Sequence, residues 1–151
     1  MNPRVLTGVV AAVAMAAAMA MGFEGNAPTP YRDVGGVLTV CYGHTGSVEH
    51  RRYADAECDA LLQKDMAEAN AIVHRCITVP MTIGQEAALT DGTYNAGQAL
   101  VCGSTLQRKA NAGDWLGACA ELSRWVNAGG RRLEGLVRRR AAERALCEGK
   151  Q

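Results

Sequence analysis

The sequence predicts an α+β fold, mostly α, with a small β-lobe inserted between helices. Three observations carry that expectation. Cys58, Leu61, Leu62, Met66, Ala69, Ile72, Val73 and Cys76 recur at spacings of three and four, the apolar stripe of a long amphipathic helix starting near Ala54. Ahead of it the period changes: Asn26-Ala-Pro28-Thr-Pro30 breaks any helix, Gly35-Gly36 marks a tight turn, and Val37-Leu-Thr-Val-Cys-Tyr42 is rich in β-formers. Behind it, after Pro80, come shorter helical stretches separated by caps and glycines. With 151 residues, 48% hydrophobic and 21% charged, the chain suits one domain with a sizeable core and excludes a disordered one.

Taken in order, the first element is an apolar run without charge from Val5 to Phe23, after Arg4 and before Glu24. Nineteen helical residues rise about 28 Å, close to the hydrocarbon thickness of a bilayer. A positive residue before such a run marks an export signal or an uncleaved anchor. Alanine, glycine and methionine fill most of it, so insertion is worth only roughly −2 to −3.5 kcal/mol. That is marginal for a permanent anchor. Cleavage at an Ala-x-Ala site, or a buried first helix of a cytosolic protein, are the alternatives. Residues 1–23 are therefore expected as a signal-anchor segment and 24–151 as the body.

After the β-lobe and the long helix, helices are expected at about 82–96, about 104–111 with Ser104 as N-cap, about 114–125 capped by Asp114, and about 135–147. Gly129-Gly130 stops the third of these. Net charge is only +1, so the whole molecule advertises no polyanion partner. Residues 131–144 nevertheless hold six arginines against Glu134 and Glu143, either a basic face for an anionic polymer or lipid, or a solvated helix face. Six cysteines in an exported chain suggest three disulfides, with 15 connectivities open. Zinc is the rival, but Cys41-Tyr-Gly-His44 lacks a second pair at finger-like spacing.

The chemistry-bearing stretch is Glu24-x8-Asp33-x5-Thr39. Glycoside hydrolysis needs two carboxyl groups flanking the scissile bond, one protonated and one ionised. Glu24 ends an apolar segment beside Phe23, surroundings that disfavour its charge. Asp33 follows the proline turn, where water and backbone donors keep a carboxylate ionised. The Thr39 hydroxyl lies on the following strand and is placed to hold a water. By themselves these residues are also consistent with two solvated carboxylates.

Glu24-x8-Asp33-x5-Thr39 followed by Val40-Cys-Tyr-Gly-His-Thr-Gly46 resembles the phage lysozyme family, the muramidase endolysins of tailed bacteriophages. Tyr53-x-Asp-x-Glu-Cys-x-x-Leu-Leu62, Thr93-Tyr-Asn-Ala-Gly97, Trp125-x-x-Ala-Gly-Gly130 and the block from Leu133 to Glu143 extend the likeness over about residues 23–147. Asp91-Gly92 departs from it, where the family usually carries a small or apolar residue and an aromatic one.

The resemblance implies a lysozyme-like fold and hydrolysis of the β-1,4 bond between N-acetylmuramic acid and N-acetylglucosamine, with inversion. It implies Glu24 as general acid and Asp33 with Thr39 as the pair that orients and activates water. It implies that one of Arg138 to Arg140 pairs with Glu24 and that His44 pairs with Asp65. It suggests bridges Cys119–Cys147, Cys41–Cys58 and Cys76–Cys102. The N-terminus resembles the signal-arrest-release subclass: a weak anchor in the inner membrane holds the enzyme inactive on the periplasmic face, then leaves the bilayer for the soluble periplasm. With the first cysteine at Cys41, beyond the anchor, refolding of the freed segment is the expected switch. Trp115 and Trp125 are expected in the core.

The expected partners are peptidoglycan and, through residues 5–23, the inner membrane. The protein is expected as a monomer with no nucleic-acid partner, cofactor or metal. A Cys-His wall peptidase or amidase, with Cys41 as nucleophile and His44 or His74 as base, is one rival. A membrane-tethered wall-binding module is the other.

Overall fold

Helix α1 spans Pro3–Glu24 in the computed structural model, which describes residues 2–150. The side chain of Asn2 caps it by accepting from the Arg4 amide at 3.1 Å, and Pro3 sits where no intrahelical N–H is required. Its fully buried residues are all alanine: Ala12, Ala16, Ala17 and Ala20 lie against Leu62, Met66 and Ala87, with Val13 and Met21 packed beside them. Its other face stays in solvent, with Val10 62% and Leu6 51% exposed. This is the one helix among the described residues long and apolar enough to cross a membrane.

The β-lobe follows. Strand β1, Ala27–Arg32, pairs antiparallel with β2, Leu38–Cys41, with an irregularity between Ala27 and Tyr31. The sequence reads Asn26–Pro30 as turn, yet it is strand. A two-stranded sheet has only edges, and an edge strand tolerates prolines whose missing N–H would face solvent. Asp33 closes the hairpin: its Oδ1 accepts from the amides of Gly35 and Val37, both at 2.9 Å.

Helix α2, Asp55–Cys76, joins the lobes over the extent that the apolar stripe predicts. Glu57 reaches back to the Ala54 amide at 3.1 Å and supplies its N-terminal cap. Helix α3, Ile83–Ala96, is the centre of the helical lobe, with α1, α2 and α6 packed around it. It opens on a reciprocal cap, the Gln85 amide donating to Thr82 Oγ1 and the Thr82 amide to Gln85 Oε1. Helices α4, Thr105–Asn111, and α5, Trp115–Glu121, start on Ser104 and Asp114 as expected, each side chain accepting an amide of the first turn. Beyond α5 the expected helix gives way to a 3-10 turn and a hairpin, Asn127–Ala128 (β3) with Arg131–Arg132 (β4), turned at Gly129-Gly130. Both glycines have positive φ, which suits such a two-residue turn. Helix α6, Glu134–Cys147, ends the fold.

The arginines of α6 do not form one basic face. Arg139 and Arg140 are buried, 3% and 1% exposed, because each finds a buried carboxylate. Trp115 and Trp125 pack against the helical core. All six cysteines are bridged: Cys41–Cys58 ties the β-lobe to α2, Cys76–Cys102 ties α2 to the loop before α4, and Cys119–Cys147 ties α5 to α6.

The Cys119–Cys147 bridge closes a span of 28 residues. Replacing both by serine is expected to cost about 3–4 kcal/mol, by the loss of constraint on the unfolded chain. Denaturant unfolding without reductant measures this. A loss below about 1 kcal/mol would show that the bridge does not constrain the fold.

Candidate active site

A cleft of about 1140 Å³ opens between the β-lobe and the helical lobe, and Glu24, Asp33 and Thr39 all line it. The three residues of the predicted constellation thus reach one surface from three elements: the end of α1, the β-lobe turn and β2.

Glu24 is the last residue of α1, and Gly25 at φ 62° turns the chain out of the helix into the lobe. The surroundings of its carboxyl differ from the apolar pocket expected. Arg139 Nη1 donates to Glu24 Oε1, and Asn95 Nδ2 lies 3.5 Å from the same oxygen. Phe23 stacks on the Arg139 guanidinium at 5.5 Å instead of shielding Glu24. Of the three candidate arginines, Arg139 is the partner. Arg138 is exposed, and Arg140 instead donates to Asn95 Oδ1. Because both donors use Oε1, Glu24 Oε2 has no protein donor among the described residues. Burial works against the charge of Arg139, but contacts with Asp91 and Glu24 outweigh it and hold the guanidinium firmly protonated.

Asp33 is half-buried, with Oδ1 taken by the turn amides. Its Oδ2 accepts no hydrogen bond from protein among the described residues and is left for water. Thr39 is 3% exposed, and its hydroxyl donates to the Val37 carbonyl at 2.9 Å. With its proton so committed, Thr39 Oγ1 meets the cleft as an acceptor.

The segment after β2 locks the lobe to the helices. Val40 and His44 exchange backbone hydrogen bonds at 2.9 Å across a tight turn. His44 Nδ1 then meets Asp65 Oδ2 of α2 at 2.8 Å, the pairing expected. The Tyr94 hydroxyl of α3 donates to the Tyr42 carbonyl. Burial pushes that hydroxyl's pKa up, with Glu24 and Asp65 adding to the effect, so it stays protonated. Gly43 passes directly over this corner at φ 92°, and a Cβ there would meet Tyr94 Oη at 3.3 Å and Glu24 Oε2 at 3.6 Å.

Two site groups escape the sequence reading. Asn95 was legible only as part of a turn motif. Asp91 is fully buried on α3 and grips Arg139 with both oxygens, at 3.0 and 2.7 Å. Its signal was present: Asp91 is the one charge in Ala87–Gly97, and a lone charge in a small, apolar helix calls for a buried partner. Gly92, the other departure from the family pattern, leaves room for Leu100 and Glu143. The cysteine nucleophile of the peptidase alternative is excluded, because Cys41 is bridged to Cys58 and has no thiolate to offer.

Gly43→Ala is expected to cost about 1–2 kcal/mol for the left-handed backbone alone and to push the β-lobe off Glu24. Thermal unfolding and cell-wall turnover on the same preparation should therefore both fall. Parental values for both would show that the close passage at Gly43 is not needed.

The chain matches the family model described as Phage lysozyme over residues 21–143. It is 47% identical to the SAR-endolysin of Escherichia phage Mu over 124 residues, 82% of this chain and 72% of that one. Among solved structures it superposes on the active form of P1 phage endolysin Lyz with a TM-score of 0.80 at 26% identity, covering 89% of this chain and 83% of that one. The muramidase domain of SpmX from Asticaccaulis excentricus gives the same TM-score at 28% identity, covering 87% and 93%. With its fold and most of its length matched in this way, the chain belongs to the phage lysozyme family.

Proposed function

We propose that this protein is an endolysin that cleaves peptidoglycan during host lysis, hydrolysing the β-1,4 bond between N-acetylmuramic acid and N-acetylglucosamine. The observation that carries it is the meeting of Glu24, Asp33 and Thr39 on one cleft, with Glu24 Oε2 and Asp33 Oδ2 free of protein donors among the described residues and Thr39 Oγ1 free to accept. Glu24 is the general acid. Its Oε1 is held by Arg139 and Asn95, so the transferable proton sits on Oε2 and passes to the glycosidic oxygen as that bond breaks. Asp33 Oδ2 takes a proton from the attacking water, and Thr39 Oγ1 accepts its second hydrogen and fixes its direction. Water arriving from the Asp33 side, opposite the leaving group, inverts the anomeric carbon. No cofactor or metal enters these steps.

Residues 5–23 serve first as a weak membrane anchor facing the periplasm, and residues 24–151 form the catalytic body. While the segment spans the inner membrane, Glu24 is kept at the bilayer surface and the site is incomplete. The two resting places of the segment are close in free energy. Insertion is worth roughly −2 to −3.5 kcal/mol, and burying four alanine methyl groups gives about 3 kcal/mol. Docking adds the charged hydrogen bond from Arg139 to Glu24, about 1.5–3 kcal/mol, which tips a freed segment toward the body.

Glu24→Gln keeps the shape of the side chain and removes its proton. Release of reducing ends from purified wall is expected to fall about 10²–10⁴-fold with folding intact. More than a tenth of parental turnover would place the acid elsewhere.

The anchor is tested at positions that the docked helix leaves exposed, since leucine at Ala12 or Ala16 would spoil packing as well as strengthen insertion. Thr7→Leu, Ala14→Leu and Ala18→Leu touch only the solvent face and should strengthen insertion by about 1–2 kcal/mol. The triple variant is expected to stay in the membrane fraction and lyse late. Lysis on the parental schedule, or a parent protein that matures by cleavage after Ala20, rules release out.

A further inference from the structure

Arg139 donates from all three nitrogens of its guanidinium although its side chain is only 4% exposed. Nε donates to Asp91 Oδ2 and Nη2 to Asp91 Oδ1, while Nη1 donates to Glu24 Oε1. The paired bonds to Asp91 fix a planar group in orientation as well as in place. With Nε and Nη2 held on Asp91 the guanidinium plane is set, and one N–H of Nη1 is directed at Glu24. Asp91 itself is fully buried on α3 and does not line the cleft.

We propose that Asp91 is a positioning residue for the proton donor: acting through Arg139, it sets where the Glu24 carboxyl sits and keeps that carboxyl able to carry its proton. The proposal rests on Glu24 being the general acid. Its electrostatic half follows from sign. A bare arginine beside an acid favours the ionised form, whereas a general acid must hold its proton when the reaction begins. Neutralised in place by Asp91, Arg139 offers Glu24 an N–H donor with no net charge behind it.

The other groups facing Glu24 do not supply that balance. Arg140, also on α6, is paired at 3.0 Å with Glu143 of its own helix. Burial pushes this pair toward neutrality, raising Glu143 well above the ordinary carboxyl range, and the guanidinium is the harder of the two to deprotonate. Tyr94 of α3 is a neutral phenol. Asp65 of α2 is spent on His44 of the β-lobe, and Asp33 stands on its own turn. Glu143 also stands 3.8 Å from Arg139 Nε, but burial holds it toward its protonated form, so Asp91 is the carboxylate that balances Arg139 against Glu24.

The test is the pH dependence of kcat and KM on soluble peptidoglycan fragments, measured with the full chain. Asp91→Asn keeps shape and removes the charge. Its kcat should fall about 10- to 100-fold with KM unchanged, and the alkaline limb of kcat should move about one pH unit toward acid. A variant that only melts earlier, with that limb where the parent has it, overturns the proposal. Should Asp91→Asn not fold, Arg139→Lys takes its place. An ammonium keeps a cation for Asp91 but lacks the fork, so kcat is expected to drop about as far, again with KM unchanged. Parental kcat in Arg139→Lys overturns the positioning role. Glu24→Gln, run alongside, separates the two claims. Activity surviving there removes Glu24 as the acid and this proposal with it. An inactive Glu24→Gln beside an unmoved limb in Asp91→Asn removes the role of Asp91 alone.

Discussion

The Arg139 guanidinium is buried, and a buried cation without partners costs several kcal/mol, so its contacts have to form together. They draw in three helices at once: α6 supplies the arginine, α3 supplies Asp91, and the last residue of α1 supplies Glu24. Alanine packing alone would let α1 slide along α3, since its buried face presents four identical methyl groups. An ion pair at the helix end removes that freedom. The register of α1 on the body and the position of the carboxyl in the cleft are therefore one and the same constraint.

The alanine-rich composition of α1 suits both resting places proposed for the segment. Small side chains make the run hydrophobic enough to enter a bilayer and too weakly so to be held there strongly. The same small side chains let the helix approach Leu62, Met66 and Ala87 closely without shape-specific knobs. A leucine-rich helix would bind lipid tightly and would need a tailored groove on the body. The apolar solvent face, with Val5 53% exposed, is the face that the proposed membrane stage would cover with lipid.

The β-lobe is small, two short strands with little core of its own, and it depends on ties to the helices. Cys41–Cys58 fastens it covalently to α2, His44 and Asp65 pin the next turn, and the Tyr94 hydroxyl holds the Tyr42 carbonyl. These ties surround Gly43, where the lobe comes against Glu24. The lobe that carries Asp33 and Thr39 is thereby held against the helices that fix Glu24, and such rigidity across the cleft is what the proposed proton transfer and water attack would require.

The sequence by itself determined the elements whose causes are local. Thr82 with Gln85, Ser104 and Asp114 start helices where they were expected to, because a cap acts over three residues and needs no distant partner. The apolar stripe from Cys58 to Cys76 likewise set the extent of α2. Resemblance to a family, carried by motifs from Glu24 to Glu143, supplied the candidate site and the disulfide pairing. Tertiary structure alone decided the rest. Two prolines made Asn26–Pro30 look like turn, and only the absence of a second neighbour makes it a tolerable edge strand. By charge pattern alone Arg139 and Arg140 read as part of a basic or solvated face, and the resemblance left open which of Arg138 to Arg140 meets Glu24. The partners of Arg139 lie 48 and 115 positions away, and although Arg140 pairs with Glu143 on its own helix, it also reaches Asn95, 45 positions away. No local pattern spans such distances. The uniform composition of α1 could not say which face packs, because every face offers alanine; the helix end, where Glu24 meets Arg139, makes that choice.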